Sequence, residues 1–133
     1  MCLWDITMNP NNLFIEKLTI SELFRAVKIE QKLFWGNETA PIVCALGDYG
    51  NFIANNYYEF SELEREHIFA VIEEGFNSDD NELSTAIATG LIEAMDSAAS
   101  KNPEKWMSIK KSLGHNSNAY LDAWLKRVEI ISK

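Results

Sequence analysis

The segment Glu64-Arg65-Glu66-His67 places a carboxylate and an imidazole three residues apart. A helix with this spacing contributes two ligands to a di-iron site, which also needs a second such pair and two further Glu residues. The other histidine, His115, has no acid three residues before it, and no nucleophile is indicated near it. We therefore expect no metal site and no catalytic residues, and we interpret His67 as a surface histidine.

Other signatures of catalysis are missing from the sequence, which has no P-loop, no G-x-G-x-x-G, no H-E-x-x-H and no G-x-S-x-G. Carboxylates are numerous enough for a glycosidase-like pair, but a small helical domain offers no obvious sugar cleft. We expect a non-enzymatic protein without a cofactor. A carboxylate-based metal protein or enzyme is the less favoured alternative.

An excess of negative charge is confined to residues Glu59–Glu82. The chain has 20 acids and 12 bases, and this stretch holds nine of the acids and only one base, Arg65, so the remainder is neutral. Such a one-sided field accelerates the arrival of a cationic partner and repels nucleic acid and anionic membranes. The alternative is a solvated face that only maintains solubility. The residues that we predict to bind the partner are Glu59, Glu62, Glu66, Glu73, Glu74, Asp79, Asp80 and Glu82.

The acids of this segment follow a helical pattern. Glu62, Glu66 and Glu73 fall within about 40° of one another at 100° per residue, on the side predicted to be opposite the apolar residues. An acid in the first turn of a helix favours the helix dipole, but Glu73 and Glu74 lie in the last turns, where negative charge is unfavourable. These two acids therefore carry much of the argument for a partner.

The elements that position these residues are predicted to be helices throughout. Gly and Pro are scarce, and no alternation of β-branched residues marks a strand. We predict an all-α fold, a single domain over residues 1–133 with a bundle of about six helices and a central antiparallel hairpin. Ser61 and Glu64 are predicted to form a capping box at the start of the third helix, and Asp79-Asp80-Asn81-Glu82 offers a similar cap for the fourth. Gly114 is predicted to end the fifth helix as a left-handed cap, and Asn116 or Ser117 to cap the sixth. The predicted helices cover about Asn11–Lys32 (with a second start at Thr19–Glu22), Pro41–Tyr58, Ser61–Phe76, Asp80–Ala99, Asn102–Gly114 and Asn116–Ile131.

Three features predict how these helices pack. Gly47 and Gly50 in the second helix indicate a close approach of another helix, with a kink as the alternative. Cys44 is predicted to be a small buried hydrophobe. The fourth helix has the widest apolar arc and should be central, with Glu93 and Asp96 on its polar side.

Localisation and weaker interactions follow from composition. The sequence shows no signal peptide and no apolar run near the roughly 20 residues of a membrane span, so we expect a cytoplasmic protein without membrane contact. Residues Ser97–Lys133 carry seven bases and three acids. The acidic segment would oppose nucleic-acid binding by this end, which we do not expect. Opposite charge at the two ends also permits weak head-to-tail homo-oligomerisation.

Two stretches resemble a group of small acidic helical bacterial proteins. The first combines Leu46-Gly47-Asp48-Tyr49, Ile72-Glu73-Glu74 and the helix Ala86–Ala94, which matches their "TGfLEal" pattern. The second runs from Leu113 to Trp124 and is similar to their "LGp-s-yldaW" ending, with His115 where the pattern often has Pro. The resemblance covers residues 45–125 and consists mostly of packing residues. This group overlaps with immunity proteins of contact-dependent growth inhibition and other polymorphic toxin systems.

The resemblance implies an immunity protein that binds and neutralises one cognate toxin. Secreted toxin domains are often nucleases with basic clefts, which an acidic surface would complement. Binding of this kind also needs a few apolar anchors, for which Trp35, Tyr57 and Tyr58 are the aromatic candidates. The alternative within the class of binding proteins is a helical adaptor for some other protein.

Overall fold

The computed structural model describes residues 9–36 and 38–132, and among these the side chains up to Lys126. Every regular element of this part is helical, which confirms the all-α prediction. None of its helices is long and apolar enough to cross a membrane. Short 3-10 turns at Glu22–Phe24 and Tyr57–Glu59 precede α2 and α4. The α-helices are α1 (Pro10–Leu18), α2 (Arg25–Trp35), α3 (Ile42–Asn55), α4 (Glu62–Phe76), α5 (Asn81–Ala86), α6 (Glu93–Ala99), α7 (Pro103–Ser112) and α8 (His115–Ser132).

Several helices begin at the polar residues that the sequence indicated. The Ser61 hydroxyl accepts a hydrogen bond from the Glu64 backbone N–H at 3.1 Å, and the Glu64 carboxylate accepts one from the Ser61 N–H at 2.8 Å. This reciprocal pair is the predicted capping box, which satisfies two otherwise unpaired donors. Asp80 caps α5 in a similar way, through the N–H of Leu83.

A single central helix runs through the core. It consists of α5, a π-helical segment over Ile87–Ile92 and α6, which follow one another without a break. Its buried side includes Leu83, Ile87, Leu91 and Met95. The central position predicted from its wide apolar arc is therefore confirmed.

The central helix and α3 approach each other at their glycines. A Cβ atom on Gly50 would overlap the carbonyl oxygen of Leu91, and one on Gly90 would lie 2.7 Å from the carbonyl oxygen of Val43. At Gly47 an added Cβ would meet its nearest neighbour at an ordinary 3.9 Å. The predicted close approach is thus confirmed at Gly50.

Three predictions about packing are wrong. Cys44 is exposed, because the buried side of α3 is formed by its neighbours Ala45, Leu46 and Tyr49 and Cys44 lies off that side. Asp96 is buried rather than on a polar side. Gly114 has no positive φ, since Gly36 alone does among the described residues, and α7 ends at Ser112 with an extended residue after it.

Candidate protein-binding surface

Helix α4 carries four of the eight predicted binding residues and is buried on a wide arc. Ile68, Phe69, Val71 and Ile72 are buried, while α1 packs along one flank of the helix and α7 and α8 pack along the other. What remains open is a strip between these flanks, which we call the outer strip. Its exposed residues are Glu62, Leu63, Glu66, His67, Ala70 and Glu74.

Glu62 and Glu66 are the acids of the outer strip that are most available for binding. Both are exposed, and neither side chain has a hydrogen bond or an ion pair within the described part of the chain. Together with Glu73 they line one groove of about 470 Å³ between α4 and α7. The predicted common side of these three acids is therefore found. Their predicted position opposite the apolar residues is wrong, because Phe69 and Arg65 line the same groove.

Glu73 is held by another helix. Its carboxylate accepts hydrogen bonds from the backbone N–H groups of Asn116 at 3.0 Å and Ser117 at 3.1 Å, the first turn of α8. An anionic side chain at this position satisfies unpaired donors and complements the positive end of the helix dipole. Gly114 leaves the space for it, because a Cβ there would overlap the Glu73 carboxylate. Glu73 is thus the cap of α8, a role the sequence had assigned to Asn116 or Ser117.

Glu74 faces the opposite flank. Its carboxylate forms an ion pair of 3.0 Å with Lys17 of α1. Two turns earlier on the same flank, the Nε2 atom of His67 lies 2.7 Å from the backbone carbonyl oxygen of Lys17, to which its N–H donates. Both late acids of α4 therefore have partners within the chain, which accounts for their placement in the last turns.

The acids outside α4 divide in the same way. Asp80 is occupied as the cap of α5, and Glu82 accepts a hydrogen bond of 3.4 Å from the Asn11 side chain. Asp79 and Glu59 are exposed and have no side-chain partner in the described part. The structure therefore does not place all eight predicted acids on one surface.

The Glu-x-x-His motif does not form a ligand pair. Glu64 is turned toward the start of α4, where hydrogen bonds from the Ser21 hydroxyl and then from the Ser61 backbone lower the pKa of its carboxyl. His67 is turned toward α1. Within the described residues, no group of three or more His, Cys, Asp or Glu side chains could hold a metal ion.

Exposed apolar side chains accompany these acids, and those beside the outer strip were not among the predicted anchors. Leu63 of α4 is 77% exposed and Ile20 is 67% exposed, and both line a groove of about 380 Å³ with Ile68 and Glu22. Of the predicted anchors, Tyr57 is buried, Trp35 is half-buried and Tyr58 is exposed. The exposure of Leu63 could have been predicted from the sequence, because at helical spacing this residue lies outside the apolar arc of its own helix.

The comparison with family models places the chain in a family. The chain belongs to the family described as a domain of unknown function, DUF7674, whose model matches residues 13–130. The comparison with curated proteins found no significant match, and neither did the comparison with solved structures.

Proposed function

We propose that this protein binds a cationic protein through the outer strip of α4 and that it is an immunity protein for a bacterial toxin. A basic nuclease domain is the partner class that the acidic surface fits best. The observation that carries the proposal is the pair Glu62 and Glu66, which flank the exposed Leu63 in sequence. Both acids are exposed and have no partner among the residues that the structure describes. On a chain of net charge −8, these residues combine a steering field with an apolar contact.

The two kinds of residue have different roles in this proposal. Exposed acids at the rim raise the association rate, because they attract a cationic surface over distances of about one Debye length. An apolar side chain that becomes buried slows dissociation, since its surface must return to water before the complex separates. Glu62, Glu66 and Glu59 belong to the first group, and Leu63 belongs to the second.

The capped and paired acids have a smaller part. Glu73, Glu74, Asp80 and Glu82 add to the negative field, but a partner would have to break their hydrogen bonds to contact them directly. Asp79 remains available at the turn between α4 and α5. In this proposal the chain is one cytoplasmic, non-enzymatic domain in which α4 and the central helix form the hairpin that presents the acids.

The experiment begins with a pull-down from the native strain, followed by mass spectrometry and by association kinetics with the captured protein. We expect Glu62→Lys together with Glu66→Lys to slow association at low salt by roughly 10- to 100-fold, and to remove most of its salt dependence. Leu63→Ser should instead raise the dissociation rate.

A matched control is Glu38→Lys together with Glu104→Lys, which changes the net charge equally at two exposed positions outside the strip. An association rate equal for the two double variants would contradict the proposed surface. Capture of a cationic protein that is not a toxin would leave the surface in place and favour the helical adaptor.

A further inference from the structure

Helix α2 has an exposed face that is positively charged, whereas the outer strip is negatively charged. In α2 only Val27 is buried, and the exposed Arg25 and Lys32 lie on one side with the half-buried Lys28. Next to this basic row are two apolar side chains, Ile29, which is 51% exposed, and Leu33, which is 79% exposed. At 100° per residue these five residues occupy about 140° of the helix. The face is therefore basic along one edge and apolar along the other.

The cations of this face have no partner in the part of the chain that the structure describes. The ion pairs found among the described residues join Lys17 to Glu74 and Lys110 to Asp122, and neither involves α2. Arg25, Lys28 and Lys32 have no side-chain hydrogen bond in the same part of the structure. Exposed leucine and isoleucine side chains beside unused cations favour contact with an acidic surface that has an apolar side chain of its own.

We propose that the α2 face of one copy of this chain docks on the outer strip of α4 in a second copy. Charge complementarity supports this occupant, because Lys28 and Lys32 have the same i, i+4 spacing as Glu62 and Glu66. Both pairs are about 6 Å apart along their helices at a rise of about 1.5 Å per residue. Ile29 and Leu33 supply the apolar partner for Leu63.

The order of residues fixes the relative direction of the two helices. On each helix an apolar residue directly follows a charged one, as Ile29 follows Lys28 and Leu63 follows Glu62. The apolar row is therefore rotated from the charged row by about 100° in the same sense on both helices. When two such faces meet, antiparallel packing places charge on charge and apolar on apolar, whereas parallel packing exchanges them. Lys28 therefore pairs with Glu66 and Lys32 with Glu62, with Leu63 between Ile29 and Leu33.

This contact joins two different surfaces and does not depend on the proposed toxin. Because α2 and α4 each remain available on the other side of the pair, the association is heterologous. It would occupy the outer strip in the free protein, so that any partner of the strip would compete with it. The test needs only the purified chain, and its outcome leaves the capture experiment above unaffected.

The experiment measures self-association by sedimentation velocity and light scattering over a range of concentrations, with a reductant present because Cys44 is exposed. We expect concentration-dependent association that weakens as salt is raised. Lys28→Glu together with Lys32→Glu should weaken it by roughly 10- to 100-fold, and so should Glu62→Lys together with Glu66→Lys. The control Lys101→Glu with Lys111→Glu changes the same net charge at exposed positions of the C-terminal third and should associate like the wild type.

Mixing provides the decisive result. The Lys28/Lys32 variant keeps a native outer strip, and the Glu62/Glu66 variant keeps a native α2 face. A mixture of the two should associate, with equal numbers of both variants in the assembly, although each variant alone associates only weakly. The chain carrying all four reversals should again associate with itself.

The proposal is overturned by a wild-type chain that stays monomeric at the highest soluble concentration, by a mixture that forms no complex, or by a control that weakens equally. Circular dichroism spectra of all variants establish that a loss of association is not a loss of folding.

Discussion

Glu66 and Glu73 are the same residue type on the same helix, two turns apart, and they border the same groove. Glu66 is exposed and has no partner among the described residues, whereas Glu73 receives two backbone hydrogen bonds from the start of α8. One acid is available for binding and the other holds the fold together. A cluster of acids in a sequence therefore mixes two roles, and only the packing of neighbouring helices separates them.

Replacement of Glu73 should give the largest effect. Glu73→Ala leaves the Asn116 and Ser117 N–H groups without their acceptor, and we expect it to lower the free energy of unfolding by about 2 kcal/mol. Glu66→Ala should change it by less than about 0.5 kcal/mol, as is usual for exposed positions. Urea denaturation of both variants measures the difference, and equal losses would remove the distinction between the two acids.

A substitution at Gly114 tests the same cap from the other side. The added Cβ of Gly114→Ala would overlap the Glu73 carboxylate, so we expect a loss of about 1 to 2 kcal/mol in the free energy of unfolding. In a Glu73→Ala background the overlap is gone, and the loss from Gly114→Ala should largely disappear. If the two losses simply add, then Gly114 does not act through Glu73.

Asp96 is an acid that neither caps a helix nor faces water. Burial, and then the charge of Glu93, raise the pKa of its carboxyl. Because the folded-state pKa is higher, the folded protein favours the protonated carboxyl. The contribution of this group to the free energy of unfolding is fully present below the ordinary pKa of 3.8 and is lost as pH rises through the higher folded-state pKa. Asn at position 96 cannot ionise, so the free energy of unfolding of Asp96→Asn relative to wild type should increase with pH over this range and then level off. We expect this increase to be smaller than the loss caused by Glu73→Ala.

Chemical denaturation of Asp96→Asn and wild type at a series of pH values measures this difference. Asp79→Asn is the control at an exposed position, and its difference from wild type should stay small. A difference for Asp96→Asn that shrinks as pH rises would mean that the buried carboxylate stabilises the fold.

The smallest effect is expected at the ion pair of α1 and α4. Lys17 and Glu74 are both substantially exposed, at 46% and 69% of their side chains. A double-mutant cycle with Lys17→Met and Glu74→Gln should give a coupling of about 0.5 kcal/mol or less, which decreases further with salt. A coupling as large as the effect of Glu73→Ala would place Glu74 among the structural acids.

Local signals in the sequence predicted much of the fold. The capping box at Ser61 and Glu64 and the cap at Asp80 are both found, because each depends on residues only three positions apart. The second helix start near Ser21 is also found, with Ser21 capping the turn before α2. The close approach at Gly50 was predicted from glycine within a helix, which requires a specific reason.

Long-range contacts could not be predicted in this way. Glu73 and its partner Asn116 are 43 residues apart, and no local pattern connects them. The position of α1 along α4, which occupies Glu74 and His67, likewise depends on tertiary packing. For the candidate surface, helical spacing therefore gave the common direction of Glu62, Glu66 and Glu73. It could not show which of these acids was already in use.

The contact between Glu73 and the start of α8 also bears on the order of folding. A chain still being synthesised cannot form it until Ser117 has emerged, long after the local turns of α4 can close. Contacts this distant in sequence form slowly, because the intervening loop loses conformational entropy before it gains any interaction. The docking of α8 is therefore expected to be a late event, and a nascent chain that stops short of this residue leaves Glu73 without its partner.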